Sequence, residues 1–344
     1  MGDEIMVYDN YLQSMNRNAT MSIDVALTGR LASGATEILE ETTKESVTFH
    51  PINNQADDDR VASIFKKITV LVGDWPESVE QAPNLEMIHQ IGAGVENYDL
   101  EALPDDVYLC NVYFHAPAIA EHVFLFLLAL NRSLMKEDRL LRAGRWPLRD
   151  PAGHVTELSG STLGIVGFGH IGQALVDLAQ AFGMDVVAIR GSQPVGDTPD
   201  GVSFLGEAGD LDHILTTSDA VVLSLPLTNQ TRGLIGESEL KMMKDTAYLL
   251  NVARGPITDE KALYEALVEG EIAGAGIDTW YQYPENKETC YPSKYPFHTL
   301  DNVVMTPHTS GWSDRTAEKR WNFIAENIDR IARGETPENI VIQT

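Results

Sequence analysis

Short apolar runs alternate with longer polar connections along most of this chain. Over the first hundred or so residues, 23–27, 47–49, 69–72 and 87–91 read as strands. Residues 32–41 and 58–67 carry apolar positions at helical spacing and read as helices, so this part is a small α/β unit. Residues 118–142 read as one long helix, apolar on most faces, which predicts a place between two layers or two subunits. Six further runs read as strands: 162–166, 185–189, 220–224, 247–252, 274–277 and 303–306. Helical or loop segments separate them, which is the pattern of a parallel, doubly wound sheet. Finally, 316–333 places Trp321, Ile324, Ile328 and Ile331 on one stripe and predicts an amphipathic helix returning to the first unit. The expected architecture is two α/β domains with a cleft between them. Residues 21–121 and 313–344 form the smaller, and 122–312 the larger. Residues 1–20 are polar and aperiodic, without the basic start and apolar centre of a signal peptide. They are expected to be a disordered extension, or to precede a native start at Met21.

Composition narrows the partners. A chain of 344 residues with 43% hydrophobic content can bury two cores. A net charge of −26 repels phosphate backbones, which argues against nucleic acid or an anionic membrane as a partner. The same excess suits a salty cytoplasm or simply a solvated surface. The longest apolar run, 123–130, is far too short to span a bilayer and reads as a buried helix. Cys110 and Cys290 are too few for a disulfide framework, which favours a reducing cytoplasm. No metal is expected.

The most specific local pattern follows the strand at 162–166. Gly167, Gly169 and Gly172 form Gly-x-Gly-x-x-Gly, with Phe168, His170 and Ile171 between them and an apolar-periodic helix after them. Gly167 permits the tight turn, Gly169 lets a pyrophosphate approach the backbone, and Gly172 lets helix and strand pack closely. The N–H groups of the first helical turn meet the phosphate charge. A second strand ends in Arg190, 18 residues beyond Gly172, where an NAD binder carries Asp or Glu. An arginine there suits a 2′-phosphate, so the expected cofactor is NADP, with NADPH favoured over NADH; the plainer reading is an exposed arginine at a strand end.

Ligands of doubly wound sheets bind beyond the carboxyl ends of the strands. The third strand is followed by Leu225, Pro226 and Leu227, with Thr231 just beyond, and the fourth by Val252, Ala253, Arg254 and Gly255. The fifth leads into Asp278 and the sixth into Pro307 and His308. A guanidinium, a carboxylate and an imidazole thus gather at one edge beside a dinucleotide, which suits reduction of a keto acid. Arginine grips a carboxylate in bidentate fashion, and histidine exchanges a proton near neutral pH. Taken singly, Arg254 could cap a helix start, His308 could be a satisfied loop histidine, and Asp278 an N-cap.

From about Val61 to Ile340 the chain resembles the D-isomer-specific 2-hydroxyacid dehydrogenases, in their NADP-using, glyoxylate/hydroxypyruvate reductase-like form. The motifs that carry the resemblance begin with Gly92-Ala93-Gly94-Val95, Ala120-Glu121-His122 and the glycine turn. They continue with Leu225-Pro226-Leu227-Thr228, Asn251-Val252-Ala253-Arg254-Gly255, Gly276-Ile277-Asp278 and Thr306-Pro307-His308. The resemblance implies a Rossmann domain beside a smaller flavodoxin-like substrate domain. It implies that Arg254 binds the substrate carboxylate and carbonyl, and that His308 is the acid/base. It further implies that Asp278 contacts the nicotinamide end of the cofactor and that backbone N–H groups at Ala93, Gly94 and Val95 hold the substrate. His170, Ile171, Leu225, Pro226, Thr231 and Val252 join the glycines and Arg190 as expected cofactor contacts.

Two departures stand out. The family places a glutamate five residues after the aspartate, paired with the histidine; here that position is Tyr283, with Gln282 and Glu285 as neighbours able to take its place if the loop shifts. Losing a carboxylate beside His308 removes a favourable charge, so reduction should fall off at lower pH than in relatives. Tyr283 is accordingly a third catalytic candidate. The second departure is His115, six residues before Glu121, where relatives often have asparagine. His115 and Trp312, with Tyr113 and Trp280, either touch the substrate or merely close the cleft. The function expected is stereospecific reduction of a small 2-keto acid by a homodimer. The rivals are a non-catalytic dinucleotide sensor and a dehydrogenase of another small anion such as formate or phosphite.

Overall fold

The computed structural model describes residues 22–343 except 53–57, 75–81, 96–97, 99–102, 104–105, 147–154, 192–195 and 285–289. The expected extension over 1–20 and the alternative partner Glu285 lie outside the described residues. The chain divides into two compact units, one of residues 1–114 and 314–344, the other of 115–313. The division precedes the helix Ala116–Asn131 rather than cutting it at residue 121. The whole helix packs on the sheet of the larger unit, through Ile119, Val123, Phe126 and Leu127 against Leu163, Ile165 and Leu250.

In the smaller unit, β1 (Ile23–Thr28), β2 (Val47–Ile52), β3 (Val70–Gly73), β4 (Met87–His89) and β5 (Tyr108–Cys110) run parallel in the order 2-1-3-4-5. This is the flavodoxin-like order. A last strand, β13 in chain order (Ile340–Gln343), lies antiparallel beside β5 and makes the sheet mixed. Alternation along each strand sends Val25, Leu27, Val70 and Val72 to one face. There they meet Trp321, Ile324, Ile328 and Ile331 of the single helix Asp314–Ala332. Ala26, Leu71, Ile88 and Leu109 face the other way, onto Phe65 and Ile68.

The larger unit holds β6 (Thr162–Val166), β7 (Asp185–Arg190), β8 (Phe204–Glu207), β9 (Ala220–Leu223), β10 (Tyr248–Asn251), β11 (Gly274–Ile277) and β12 (Val303–Met305). All seven are parallel, in the order 8-7-6-9-10-11-12, so the strand order reverses between β6 and β9. Both faces are covered, which is why the strands read as continuous apolar runs. Within this sheet, β8 is the strand that the apolar pattern did not announce, since Gly206 and Glu207 break its run. Gly276 on β11 makes room for Phe126: a Cβ at 276 would sit 2.6 Å from that ring.

The long helix expected over 118–142 is two helices. Ala116–Asn131 ends at Arg132, Ser133 takes a left-handed φ of 49°, and Leu134–Arg142 leaves at an angle of 60°. The second piece is not apolar all round. Lys136, Glu137, Asp138 and Arg139 follow Leu134 and Met135 at once, and none of its residues is buried. Among the described residues no single helix is long and apolar enough to cross a membrane.

Candidate active site at the carboxyl edge of the larger sheet

The glycine turn leaves β6 at the point where strand order reverses. Gly167 has φ 104°, and a Cβ there would come within 2.8 Å of Leu225, so both the turn and the close approach require glycine. A Cβ on Gly172 would press on the Gly167 carbonyl and Phe168 at 3.1 Å. Gly169 differs: it is exposed and nothing lies within 4 Å of where its Cβ would be. It is the N-cap of the helix His170–Ala181, whose first N–H groups have no carbonyl ahead of them in the helix. An open backbone at a helix start, beside two glycines used for packing, fits a pyrophosphate. His170 is exposed next to Gly169, and Ile171 is half-buried.

Arg190 ends β7 and folds back over this turn. Its Nη2 donates to the Phe168 carbonyl at 3.4 Å, and its guanidinium lies 5.7 Å from the centre of the Phe168 ring. Across the turn, Ser224 Oγ donates to the Gly167 carbonyl at 2.9 Å, which sets Leu225 and Pro226 against the glycines. Two expected cofactor contacts are otherwise engaged. Thr231 Oγ1 donates to the Pro226 carbonyl and accepts the Thr228 N–H, so it ties the loop. The Val252 side chain is buried in the core rather than presented at the edge, because it continues the inward face of β10.

Arg254 follows β10 on a loop shaped by a residue to which the sequence reading gave no role. Buried Asn251 accepts the Ala253 N–H at 3.1 Å and donates to the Arg254 carbonyl at 3.0 Å. The Arg254 guanidinium is partly exposed, with Nη1 donating to the Ala253 carbonyl at 2.8 Å.

His308 stands after β12 with φ 57°, a conformation costly for a residue with a Cβ. Asp278 holds it there. The Asp278 carbonyl accepts the His308 N–H at 2.8 Å, and its carboxylate accepts the N–H groups of Thr309 and Ser310 and the Thr306 hydroxyl. That carboxylate is fully buried. Asp278 thereby supports the loop that carries the histidine. Tyr283 Oη lies 2.9 Å from His308 Nδ1 and accepts the Trp280 N–H at 3.2 Å. Gln282 instead donates its backbone N–H to the Pro292 carbonyl.

His115 stands at the N-cap position of the helix Ala116–Asn131 and lies against Gly311; Trp312, just beyond, is 47% exposed. Trp280 is buried, its ring against Phe297 and its Nε1–H donating to the Thr306 carbonyl. In the smaller unit, the turn over 92–95 follows β4. Asn111 donates to the Ala93 carbonyl at 2.8 Å and Gln90 to that of Gly94 at 3.2 Å, so two amides shape the turn that carries Val95. Tyr113 receives a second N–H of Asn111 on its hydroxyl.

A cavity of about 510 Å³ opens at the opposite end of the larger sheet, beside Ala220, Tyr248 and Ala273 at the starts of their strands, and has no part in this edge. Among the described residues no group of three or more His, Cys, Asp or Glu side chains is placed to hold a metal ion.

Residues 124–310 match the family model described as D-isomer specific 2-hydroxyacid dehydrogenase, NAD binding domain. The chain belongs to the D-isomer specific 2-hydroxyacid dehydrogenase family. It is 38% identical to a glyoxylate reductase of Pyrococcus furiosus over 276 residues, 77% of this chain and 78% of that one. An acyclic imino acid reductase solved with NADPH and D-Arg superposes with a TM-score of 0.77 at 26% identity, covering 93% of this chain and all of the other. The family's NAD-complexed enzyme from Lactobacillus delbrueckii ssp. bulgaricus superposes with a TM-score of 0.74 at 26% identity, covering 94% and 100%. The chain is thus an NAD(P)-dependent oxidoreductase acting between a small 2-keto acid and its D-2-hydroxy acid.

Proposed function

We propose that the chain reduces a keto acid of the glyoxylate or hydroxypyruvate kind, with NADPH favoured over NADH. The observation that carries this reading is that Arg254 and His308 follow β10 and β12 at the edge that holds the glycine turn, with His308 Nδ1 bonded to Tyr283. When bound, NADPH supplies the hydride. Arg254 anchors the carboxylate and polarises the adjacent carbonyl. The Tyr283 oxygen can accept two N–H groups, that of Trp280 and that of His308 Nδ1. Nδ1 then keeps its proton throughout, and Nε2 is the nitrogen that delivers a proton to the new alkoxide. The backbone N–H groups at Ala93, Gly94 and Val95 are taken as further holds on the carboxylate, and His115 and Trp312 as contacts for the rest of the acid. The N–H groups at Gly169, His170 and Ile171, beside Leu225 and Pro226, are assigned to the pyrophosphate region.

Preference for NADPH rests on Arg190 at the end of β7, the strand end that faces the adenosine ribose in such folds, with its guanidinium beside Phe168. A glyoxylate reductase among the relatives supports the size of the acid. Pairing with a second copy is part of the same reading. The helix Leu134–Arg142 leaves Leu134, Met135 and Leu141 more than half exposed, and Trp146 beyond it is 80% exposed.

The test is steady-state consumption of NADPH and of NADH with glyoxylate, hydroxypyruvate, pyruvate and phenylpyruvate. Turnover of the smaller acids with NADPH ahead supports the proposal. Tight NADPH binding with no turnover of any acid overturns it in favour of a sensor. Sedimentation of the wild type against L134E/L141E tests the pairing, which predicts a shift from dimer to monomer.

A further inference from the structure

We propose that His122 is a positioning residue for His308, acting through Thr306 and Asp278. The inference rests on the reading of His308 as the acid/base. His122 lies in the Ala-Glu-His motif of the helix Ala116–Asn131, and neither the expected site nor the chemistry above uses it. Its Nε2 is 3.0 Å from Thr306 Oγ1, and Thr306 Oγ1 is 2.5 Å from Asp278 Oδ1.

The directions of these bonds follow from elementary accounting. A carboxylate only accepts, so the single hydroxyl proton of Thr306 goes to Asp278. The Thr306 oxygen then has lone pairs to offer, and His122 Nε2–H donates to them. Burial favours the neutral ring, against the pull of Asp278 at 4.0 Å, and the edge contact with Phe126 at 4.6 Å between centroids fixes its plane. The chain of donors ends on a fully buried carboxylate whose remaining bonds all hold the turn that carries His308 in its left-handed conformation. With His122 in place the Thr306 hydroxyl cannot rotate away from Asp278. Without it, Asp278 loses an aligned donor, and the loop is free to relax toward a backbone that points the imidazole elsewhere.

The experiment compares wild type, H122F, H122Q, T306V, H122F/T306V and H308Q for kcat and KM with glyoxylate and NADPH, and for NADPH affinity by fluorescence titration. Phenylalanine keeps the packing on Phe126, whereas glutamine restores an N–H donor. The expected result is a fall of about ten-fold or more in kcat for H122F, with KM and NADPH affinity within about two-fold. H122Q should recover most of kcat, and the double variant should be no worse than T306V alone. The proposal is overturned by H122F within two-fold of wild type, by H122Q no better than H122F, or by losses that multiply in the double variant. If H122F does not fold, T306V against H122Q gives the same decision. H308Q separates the two readings: turnover near wild type there brings down the acid/base assignment itself, whatever His122 does.

Discussion

Replacing Tyr283 by glutamate restores the charge that the family's pattern places beside the histidine, and its effect can be sized from the structure. The tyrosine oxygen lies 2.9 Å from His308 Nδ1. Glutamate is shorter, so its carboxylate would stand about 5 Å from the ring, within the range where an opposite charge shifts a titration. Two unit charges at that distance attract by about 0.8 kcal/mol in bulk water and about 3 kcal/mol at the effective dielectric of a protein surface. Tyr283 is 48% exposed, which sets the value between these limits, at roughly 1–2 kcal/mol. At 1.36 kcal/mol per unit this is about one pH unit.

The sign is fixed by the protonated form. A carboxylate favours the imidazolium, so the acid needed for reduction survives to higher pH, and the alkaline limb of kcat/KM for keto-acid reduction should rise by about one unit in Y283E. Y283F removes the oxygen that accepts from Nδ1 and from Trp280, and should lower kcat without raising that limb. The assay is the pH profile of NADPH-dependent glyoxylate reduction from pH 5 to 10 for the three proteins. An unchanged alkaline limb in a folded Y283E would refute the pairing of Tyr283 with the proton-transferring group, because no geometry within about 6 Å leaves such a charge without effect.

Three further outcomes follow from other parts of the molecule. Arg190→Ala should raise KM for NADPH by about 10–100-fold, the value of a lost charged hydrogen bond, and leave NADH within about two-fold; equal losses for both cofactors would show that Arg190 merely packs on Phe168. Gly276→Ala drives a methyl into the Phe126 ring and should cost about 1–3 kcal/mol, read as a lower Tm that F126L in the same chain partly restores. His89 is fully buried, and burial, opposed by the bond from Nδ1–H to the Gln90 carbonyl, pushes its pKa down from 6.5 to about 4. The unfolded chain takes up that proton first, so the stability His89 contributes is whole above pH 6.5 and is lost as pH falls toward 4. The loss is about 3 kcal/mol, measurable as a falling urea midpoint that flattens in H89Q.

The parts of this protein that a linear reading reaches are those in which one segment carries its own explanation. Strand, glycine turn and helix are contiguous at 162–181, and each glycine's reason is local, so Gly167 and Gly172 meet the neighbours that their roles require and Gly169 faces open space. The parallel strands read well because burial on both faces writes a continuous apolar run. Three strands do not: β5 has three residues, β8 contains a glycine, and β13 depends on β5 for its pairing. The break at Ser133 was hidden for a similar reason. Leucines continue past it, but the helix they predict has no sheet left to cover it, and the charges at 136–139 already mark the change of surroundings. At the candidate site the division is sharper. Arg254 and His308 could be found because reactive groups at strand ends follow a rule of the fold, and Tyr283 because the family's pattern places a glutamate at that position. Asn251, Thr306 and His122 stand in the motifs quoted above, but their parts could not be read, since each bonds a neighbour that is close only after folding; His122 and Thr306 stand 184 positions apart and meet at 3.0 Å. Asp278 shows the consequence. A carboxylate at a strand end reads as a ligand contact, whereas its three bonds to 306, 309 and 310, with that of its own backbone carbonyl to 308, show it holding the histidine loop. The groups that touch a substrate are written in residue type and position, whereas those that aim them are written only in three dimensions, and it is there that variants with full cofactor affinity and lost turnover should be sought.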